Sequence, residues 1–349
     1  MGFRVPVVDI SAYVGVGSAA EREAVARAID EACRTVGFIQ IVGHGVPKAA
    51  TDGLAAALDE FFLLPLDAKK AYRTPPSVNR GYTPPKTESL SLSLGVESAN
   101  RMNDFFEAFN VGDQASDFPG ANLPDSIYPE NVWPDEIAPH FRRLVDAYYR
   151  EAGRVARTMV RIFTDALGLP EAFFDAYTSH SIDVLRMNNY ALPEGTDVTL
   201  DGDLTGMGEH TDYGIVTILW ADRVAGLQVL GTDGGWHDVM PDPDALLINL
   251  GDLTGRWTND QWMSTLHRVK PPVIDGRIER RRSAAFFHDG NWDAVVSTLP
   301  ACVDAEHPDR YEPVTVDEHI QAKLRGSRAG VRNAAAGAER DRVVASRGY

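Results

Sequence analysis

Cysteine is almost absent from the 349-residue chain: Cys33 and Cys302 are the whole complement, too few for a disulfide framework. Positive charge is also in short supply. Thirty-four Lys and Arg stand against 50 Asp and Glu, a formal net charge of −16. Such a balance repels phosphate backbones and anionic headgroups, so no nucleic-acid or membrane-surface partner is expected. No uncharged apolar run approaches the roughly 18 residues of a membrane helix. No solenoid or propeller repeat occurs. The opening Met-Gly-Phe-Arg-Val-Pro has no signal-peptide hydrophobic stretch, which leads to the expectation of a cytoplasmic globular protein. Oligomeric state cannot be read.

What is present is a chain in two textures. The first half is helical. Val25, Ile29, Ala32 and Cys33 form one stripe of a helix over 19–35, which Gly37 ends. A short strand over 38–42 and a helix over 47–63 follow. Apolar residues from Phe141 to Leu167 recur at three- and four-residue steps, predicting a long helix within 134–168. Residues 74–104, rich in Pro and Ser, read as a long irregular loop, either a substrate loop or a surface excursion. After residue 180 the rhythm turns strand-like, with short apolar segments at 183–190, 214–220, 226–230, 235–239, 245–249, 268–269 and 281–287. Many short strands with helices packed around them predict a mainly β, α+β architecture of sandwich or barrel type. The last stretch, 325–349, holds six Arg against two acids among Ala and Gly, and reads as a basic tail outside a single domain over 1–324.

Three residue pairs at i, i+2 fall in the strand-rich half, where alternation turns both members to one face. His210 and Asp212, with His267 further on, provide two imidazoles and one carboxylate. On one octahedral face they leave three positions open, as non-haem Fe(II) requires. Arg281 and Ser283 present a guanidinium beside a hydroxyl, a grip for a terminal carboxylate; Ala285 and Phe287 share that face. Asn188 and Tyr190 offer an amide and a phenol. Taken singly, each pair has a bland alternative: a structural histidine, a solvated basic run, a turn.

Taken together, His210-x-Asp212, His267 and Arg281-x-Ser283 resemble the iron(II)- and 2-oxoglutarate-dependent dioxygenases of the isopenicillin N synthase-like group. Val5-Pro6-Val7-Val8-Asp9-Ile10, His44-Gly45-Val46, Arg80-Gly81-Tyr82, Gly226-Leu227-Gln228-Val229 and Asn249-Leu250-Gly251-Asp252 are similar to stretches of that group as well. The resemblance covers about residues 5–320. It implies a double-stranded β-helix (jelly roll) with its core near 180–300, on which a helical and strand region over 1–130 packs. It also implies Fe(II) on His210, Asp212 and His267, and 2-oxoglutarate on Arg281 and Ser283 with Tyr190 and Asn188 beside it. O2 would oxidise, by default hydroxylate, a C–H bond of a small molecule, with release of succinate and CO2. A specialised metabolite is the expected substrate class, with Arg80, Tyr82, Arg101, Phe287, His288 and the 192–208 segment as candidate contacts. Alternatives left open are a same-fold oxidase that does not use 2-oxoglutarate, a metal hydrolase, and a binding protein without catalysis. The hydrolase reading lacks an H-E-x-x-H helix.

Overall fold

The computed structural model describes residues 3–88, 90–94, 104–191, 206–271, 273–274, 277–329 and 333. In chain order its first strands are β1 (Val7–Asp9), β2 (Phe38–Val42), β3 (Gly81–Thr83), β4 (Glu107–Gly112) and β5 (Val184–Tyr190). There follow β6 (Met207–His210), β7 (Val216–Ala221), β8 (Leu227–Leu230), β9 (Trp236–Asp238), β10 (Leu246–Leu250) and β11 (His267–Val269). A small hairpin comes next, β12 (Val273–Ile274) with β13 (Arg277–Ile278), and then β14 (Arg281–His288). Eight strands form one sheet in the order β1-β2-β10-β7-β14-β5-β4-β3, and a second sheet runs β6-β11-β8-β9. Two facing, mostly antiparallel sheets with this crossing order make the expected jelly roll. The N-terminal region contributes β1 to β4 to the larger sheet, so it is built into the same sheet as the strand-rich half.

The helices are α1 (Ser11–Val14), α2 (Ala19–Thr35), α3 (Lys48–Phe62), α4 (Leu66–Lys70), α5 (Phe141–Ala166), α6 (Asp175–Thr178), α7 (Asp252–Trp257) and α8 (Val316–Ala329). Helix α2 starts where Ser18 and Glu21 exchange a reciprocal capping box, and Gly37, with φ +68°, lets the chain reverse into β2. Helices α2 and α3 pack on α5, and this layer covers the outer face of the large sheet. Period two along the strands explains both faces. Ile39, Ile41, Leu185, Met187, Ala284 and Phe286 join the core under the helices. Their alternate neighbours turn towards the second sheet, where Phe38, Tyr190, Met207, Leu227, Val229 and Val269 form a separate apolar cluster.

Two expectations need correction. The 74–104 stretch is not uniformly irregular: it contains β3 and a 3-10 turn, Leu90–Leu94, whose Ser and Leu residues are buried where it packs against β6 and α8. Position 324 is not the end of the folded unit either. Helix α8 runs through it to Ala329, and Lys323, Ser327 and Arg328 are drawn inward. Lys323 and Arg328 have acidic partners waiting inside, which removes the reason for a solvated tail. Most of the remaining tail lies outside the described residues. No described helix is long and apolar enough to cross a membrane.

Candidate active site

The space between the sheets is a cavity of about 980 Å³, solvent at its mouth included. His210 ends β6 and His267 begins β11, directly across the ladder from it. Asp212 lies just past the strand, in the turn after His210 rather than on the strand itself. The three side chains still converge: one ligand atom from each lies within 4.8 Å of the others. Asp212 Oδ1 is 3.8 Å from His210 Nε2 and 3.6 Å from His267 Nε2.

The surroundings aim these atoms. His210 Nδ1 bonds the Gly208 carbonyl at 2.8 Å and His267 Nδ1 the Thr265 carbonyl at 3.1 Å. A carbonyl only accepts, so each Nδ1 carries the proton and each Nε2 keeps its lone pair. The outer oxygen of Asp212, Oδ2, accepts from Thr217 Oγ1 at 2.5 Å and Asn249 Nδ2 at 2.7 Å, leaving Oδ1 to the centre. Burial and the neighbouring His267 push His210 down to about 3, so it is a neutral donor at ordinary pH. Asn249 and Thr217 were not foreseen in this role, although the Asn249-Leu250-Gly251-Asp252 motif held one of them. Asp252 sits behind the metal-ligand turn: its N–H donates to the Asp212 carbonyl at 2.8 Å. Its carboxylate takes Thr211, Ser264 and Lys323.

Strand β14 pairs with β5 so that Arg281 faces Tyr190, Ser283 faces Asn188, Ala285 faces Arg186 and Phe287 faces Val184. All eight line the cavity. Arg281 is 2 % exposed, yet its Nε and Nη1 have no hydrogen-bond partner. Its guanidinium carbon stands 5.1 Å from the Tyr190 ring centroid. Burial raises the Tyr190 phenol above its ordinary range, keeping it a neutral O–H donor. A buried guanidinium without a carboxylate is costly to maintain, and it suits the distal carboxylate of a dicarboxylic ligand. Two imidazoles and one carboxylate, no fourth such group within the cluster among the described residues, equally suit a ferrous ion with open positions.

Residues 182–290 match the model of the 2OG-Fe(II) oxygenase superfamily, and residues 5–136 match the N-terminal region of the non-haem dioxygenases in morphine synthesis. The chain is 33% identical over 332 residues to the 2-oxoglutarate-Fe(II) type oxidoreductase hxnY of Emericella nidulans, covering 92% of this chain and 90% of the relative. The chain belongs to the 2OG-Fe(II) oxygenase superfamily. Among solved structures, a 2OG-Fe(II) oxygenase family protein from Caulobacter crescentus superposes with TM-score 0.77 at 31% identity, covering 92% of this chain and 98% of that one. A full-length Neurospora crassa protein, solved in complex with alpha-KG and thymine, gives TM-score 0.78 at 26% identity, with 92% and 96% covered. The protein is a non-haem iron, 2-oxoglutarate-dependent dioxygenase, with Fe(II), 2-oxoglutarate and O2 as its reaction partners.

The expected substrate contacts fare unevenly in this oxygenase. Phe287 lines the cavity. His288 does not: it is the next residue along β14, so it points to the opposite face, where Nδ1 bonds Asp183 at 2.9 Å. Tyr82 is also turned away, its hydroxyl on Glu107, a carboxylate already paired with Lys69 at 2.8 Å. Arg80 holds the Asn79 and Asp113 carbonyls at 2.8 and 2.7 Å and lies outside the main cavity, positioning Asn79, which does line it. Arg101 and residues 192–205 lie outside the described residues. The residues missed altogether are Arg186, Glu88 and Arg328. Glu88 Oε2 meets Arg186 at 2.5 Å and Oε1 meets Arg328 at 3.1 Å, all three on the cavity wall.

Proposed function

We propose that His210, Asp212 and His267 hold the ferrous ion, and that Arg281 and Ser283 receive the C5 carboxylate of 2-oxoglutarate, with Tyr190 and Asn188 alongside. The enzyme then hydroxylates an unactivated C–H bond of a small specialised metabolite, releasing succinate and CO2. The observation that carries this reading is the buried Arg281 with two unpartnered nitrogens in the same cavity as the two-His, one-Asp cluster. Bound together, iron and 2-oxoglutarate supply the activation of O2, which no side chain here can perform.

The chain's own residues do the placing. Backbone carbonyls fix both imidazole tautomers, and Asn249 and Thr217 hold Asp212 in one orientation. Arg281 presents its planar fork from a rigid strand, so two parallel hydrogen bonds to a carboxylate form without reorganisation. Leu219, Leu227 and Val269 wall this end of the cavity and exclude water from the ion pair. The folded chain through α8 acts as one catalytic unit. Two buried free thiols fit a cytoplasmic location.

A same-fold oxidase independent of 2-oxoglutarate would use Arg281 for its own substrate; the Neurospora crassa relative, whose solved structures hold alpha-KG, favours the first reading. Anaerobic addition of Fe(II) and then 2-oxoglutarate should produce a visible charge-transfer absorption, and exposure to O2 should produce succinate. Neither signal appearing in the wild-type protein while Asp212→Ala behaves identically would reject the reading.

A further inference from the structure

Along β5 the residues facing the cavity run Tyr190, Asn188, Arg186 and Val184. Arg186 is four residues from Tyr190, about 14 Å along the strand at roughly 3.4 Å per residue, so the cavity carries a second buried cation well away from Arg281. It does not stand alone. Arg328 arrives from α8, and the two guanidiniums share one carboxylate, Glu88, at 2.5 and 3.1 Å. Two cations around one anion leave a surplus of one positive charge on this wall.

The polar groups beside them are arranged with equal specificity. Asn79 Oδ1 accepts from Arg328 Nη2 at 2.5 Å and from Asn110 Nδ2 at 2.7 Å. Arg328 can only donate, so the Asn79 oxygen must face it, and Asn110 must turn its amino group to that same oxygen. Asn110 Oδ1 is thereby left as a buried acceptor with no partner, in a residue 2 % exposed on the cavity wall. An acceptor without a donor in such a place awaits one from a ligand.

Two other carboxyl groups lie nearby. Asp104 is raised to about 7 by burial; it takes the amide N–H groups of Leu90 and Gly208 and is not part of the cavity wall. Asp289 lines the cavity, and burial together with Asp183 and Asp212 holds it well above the usual carboxylate range. Neither makes an ion pair with Arg186 or Arg328, whose salt bridges both go to Glu88.

We propose that the primary substrate is a small carboxylic acid, its carboxylate received by Arg186 and Arg328, with an N–H or O–H group beside it for Asn110. This rests on the oxygenase reading above and names the substrate class of that same cavity. The common oxygen atom of Asn79 puts the Arg328 guanidinium and the Asn110 amide side by side, so the acid and the donor lie on one edge of the substrate. Glu88 then acts as a positioning residue that spaces the two guanidiniums.

Matched probes test this: 3-hydroxybenzoate, benzoate and 3-hydroxybenzamide, with further cyclic hydroxy and amino acids each paired with its primary amide. Binding is read anaerobically, as the change each probe makes in the visible absorption of the iron–2-oxoglutarate enzyme. Acids are expected to bind about tenfold or more tightly than their amides, the scale of one charge-assisted hydrogen bond. Arg328→Gln should erase that preference and Arg328→Lys restore part of it, while Asn110→Ala should remove the advantage of 3-hydroxybenzoate over benzoate. Amides bound as tightly as acids, a preference that survives Arg328→Gln, or no acid bound at all would each overturn the proposal. Should Arg328→Gln not fold, the wild-type pairs and Arg328→Lys still decide. Absence of the visible absorption before any probe is added would instead overturn the oxygenase reading.

Discussion

Replacing Arg281 with methionine removes a guanidinium that the protein keeps 2 % exposed with Nε and Nη1 unpartnered. A structural arginine and a ligand-binding arginine respond in opposite directions. Each buried unpaired polar group costs about 1–3 kcal/mol, offset in part by the Tyr190 face at 5.1 Å, where such contacts contribute about 0.5–2 kcal/mol. Methionine fills similar volume without that cost, so the ligand-free variant should gain about 1–3 kcal/mol, a rise of a few degrees in melting temperature for a chain of this size. The ligand response goes the other way. Saturating 2-oxoglutarate at 100 times its Kd stabilises a protein by about 2.7 kcal/mol, and two charge-assisted hydrogen bonds are together worth about 3 kcal/mol or more. Loss of both weakens 2-oxoglutarate binding roughly a hundredfold or more, so at the same concentration its stabilisation should fall to about 0.4 kcal/mol or less in Arg281→Met. Differential scanning fluorimetry of the anaerobic iron-loaded protein, with and without 2-oxoglutarate, measures both effects. A variant that melts several degrees lower yet still shifts with 2-oxoglutarate would refute the reasoning, because it would show the guanidinium serving the fold and not the ligand.

Arg281→Lys keeps the charge and loses the fork, so the KM for 2-oxoglutarate should rise about tenfold in succinate-release assays. Asn249→Ala, which leaves Oδ2 of Asp212 to Thr217 alone, should weaken Fe(II) binding about 10- to 100-fold by competition with a metallochromic chelator; unchanged affinity would show that the carboxylate needs no support from Asn249. Lys323→Met leaves the buried Asp252 carboxyl without its 2.7 Å partner, a loss of about 3–5 kcal/mol in urea unfolding at neutral pH. The sign with pH follows. Lys323 and His319 hold the wild-type carboxyl well below the usual range against its burial, so its stabilisation is present above the unfolded pKa of about 3.8 and is lost as pH falls through the lower folded value. Without Lys323 burial raises that carboxyl, and the deficit of the variant should therefore grow from pH 5 to pH 8. A chain stopped after Leu324 removes Arg328 and the end of α8; it should lose the acid preference and most turnover with any acid that the full chain accepts.

How far the sequence discloses this site follows from how narrowly each job restricts residue type. Binding a ferrous ion needs imidazoles and a carboxylate, but with nine histidines in the chain His210, Asp212 and His267 become legible before any coordinates exist only through the family resemblance that they carry jointly with Arg281 and Ser283. Arg281 and Ser283 are legible because strand alternation sets which neighbours share a face. The same alternation, carried one residue further, already turns His288 away from the cavity when Phe287 faces it. Arg80 and Tyr82 sit in a Pro-rich stretch that reads as a loop, and what hides their role is their partners: Glu107 and the Asp113 carbonyl become neighbours only when β3 pairs with β4. Arg328 is the instructive omission. Its segment has the composition of a solvated tail, yet Val316, Ile320, Lys323, Leu324 and Ser327 recur at helical spacing along one stripe. Counting apolar residues alone breaks that stripe at Lys323, because a lysine is ordinarily an outward residue. Only the fold shows that Asp252 lies beneath it, 71 residues earlier in sequence. A buried charge can be recognised only together with its partner, and pairs this distant are formed by topology. The chemistry shared by the whole superfamily is therefore written locally, in short motifs, while the wall that selects a substrate is assembled from three separate segments carrying Glu88, Arg186 and Arg328. Substitutions that change specificity should accordingly concentrate in those three segments and leave the metal motifs untouched.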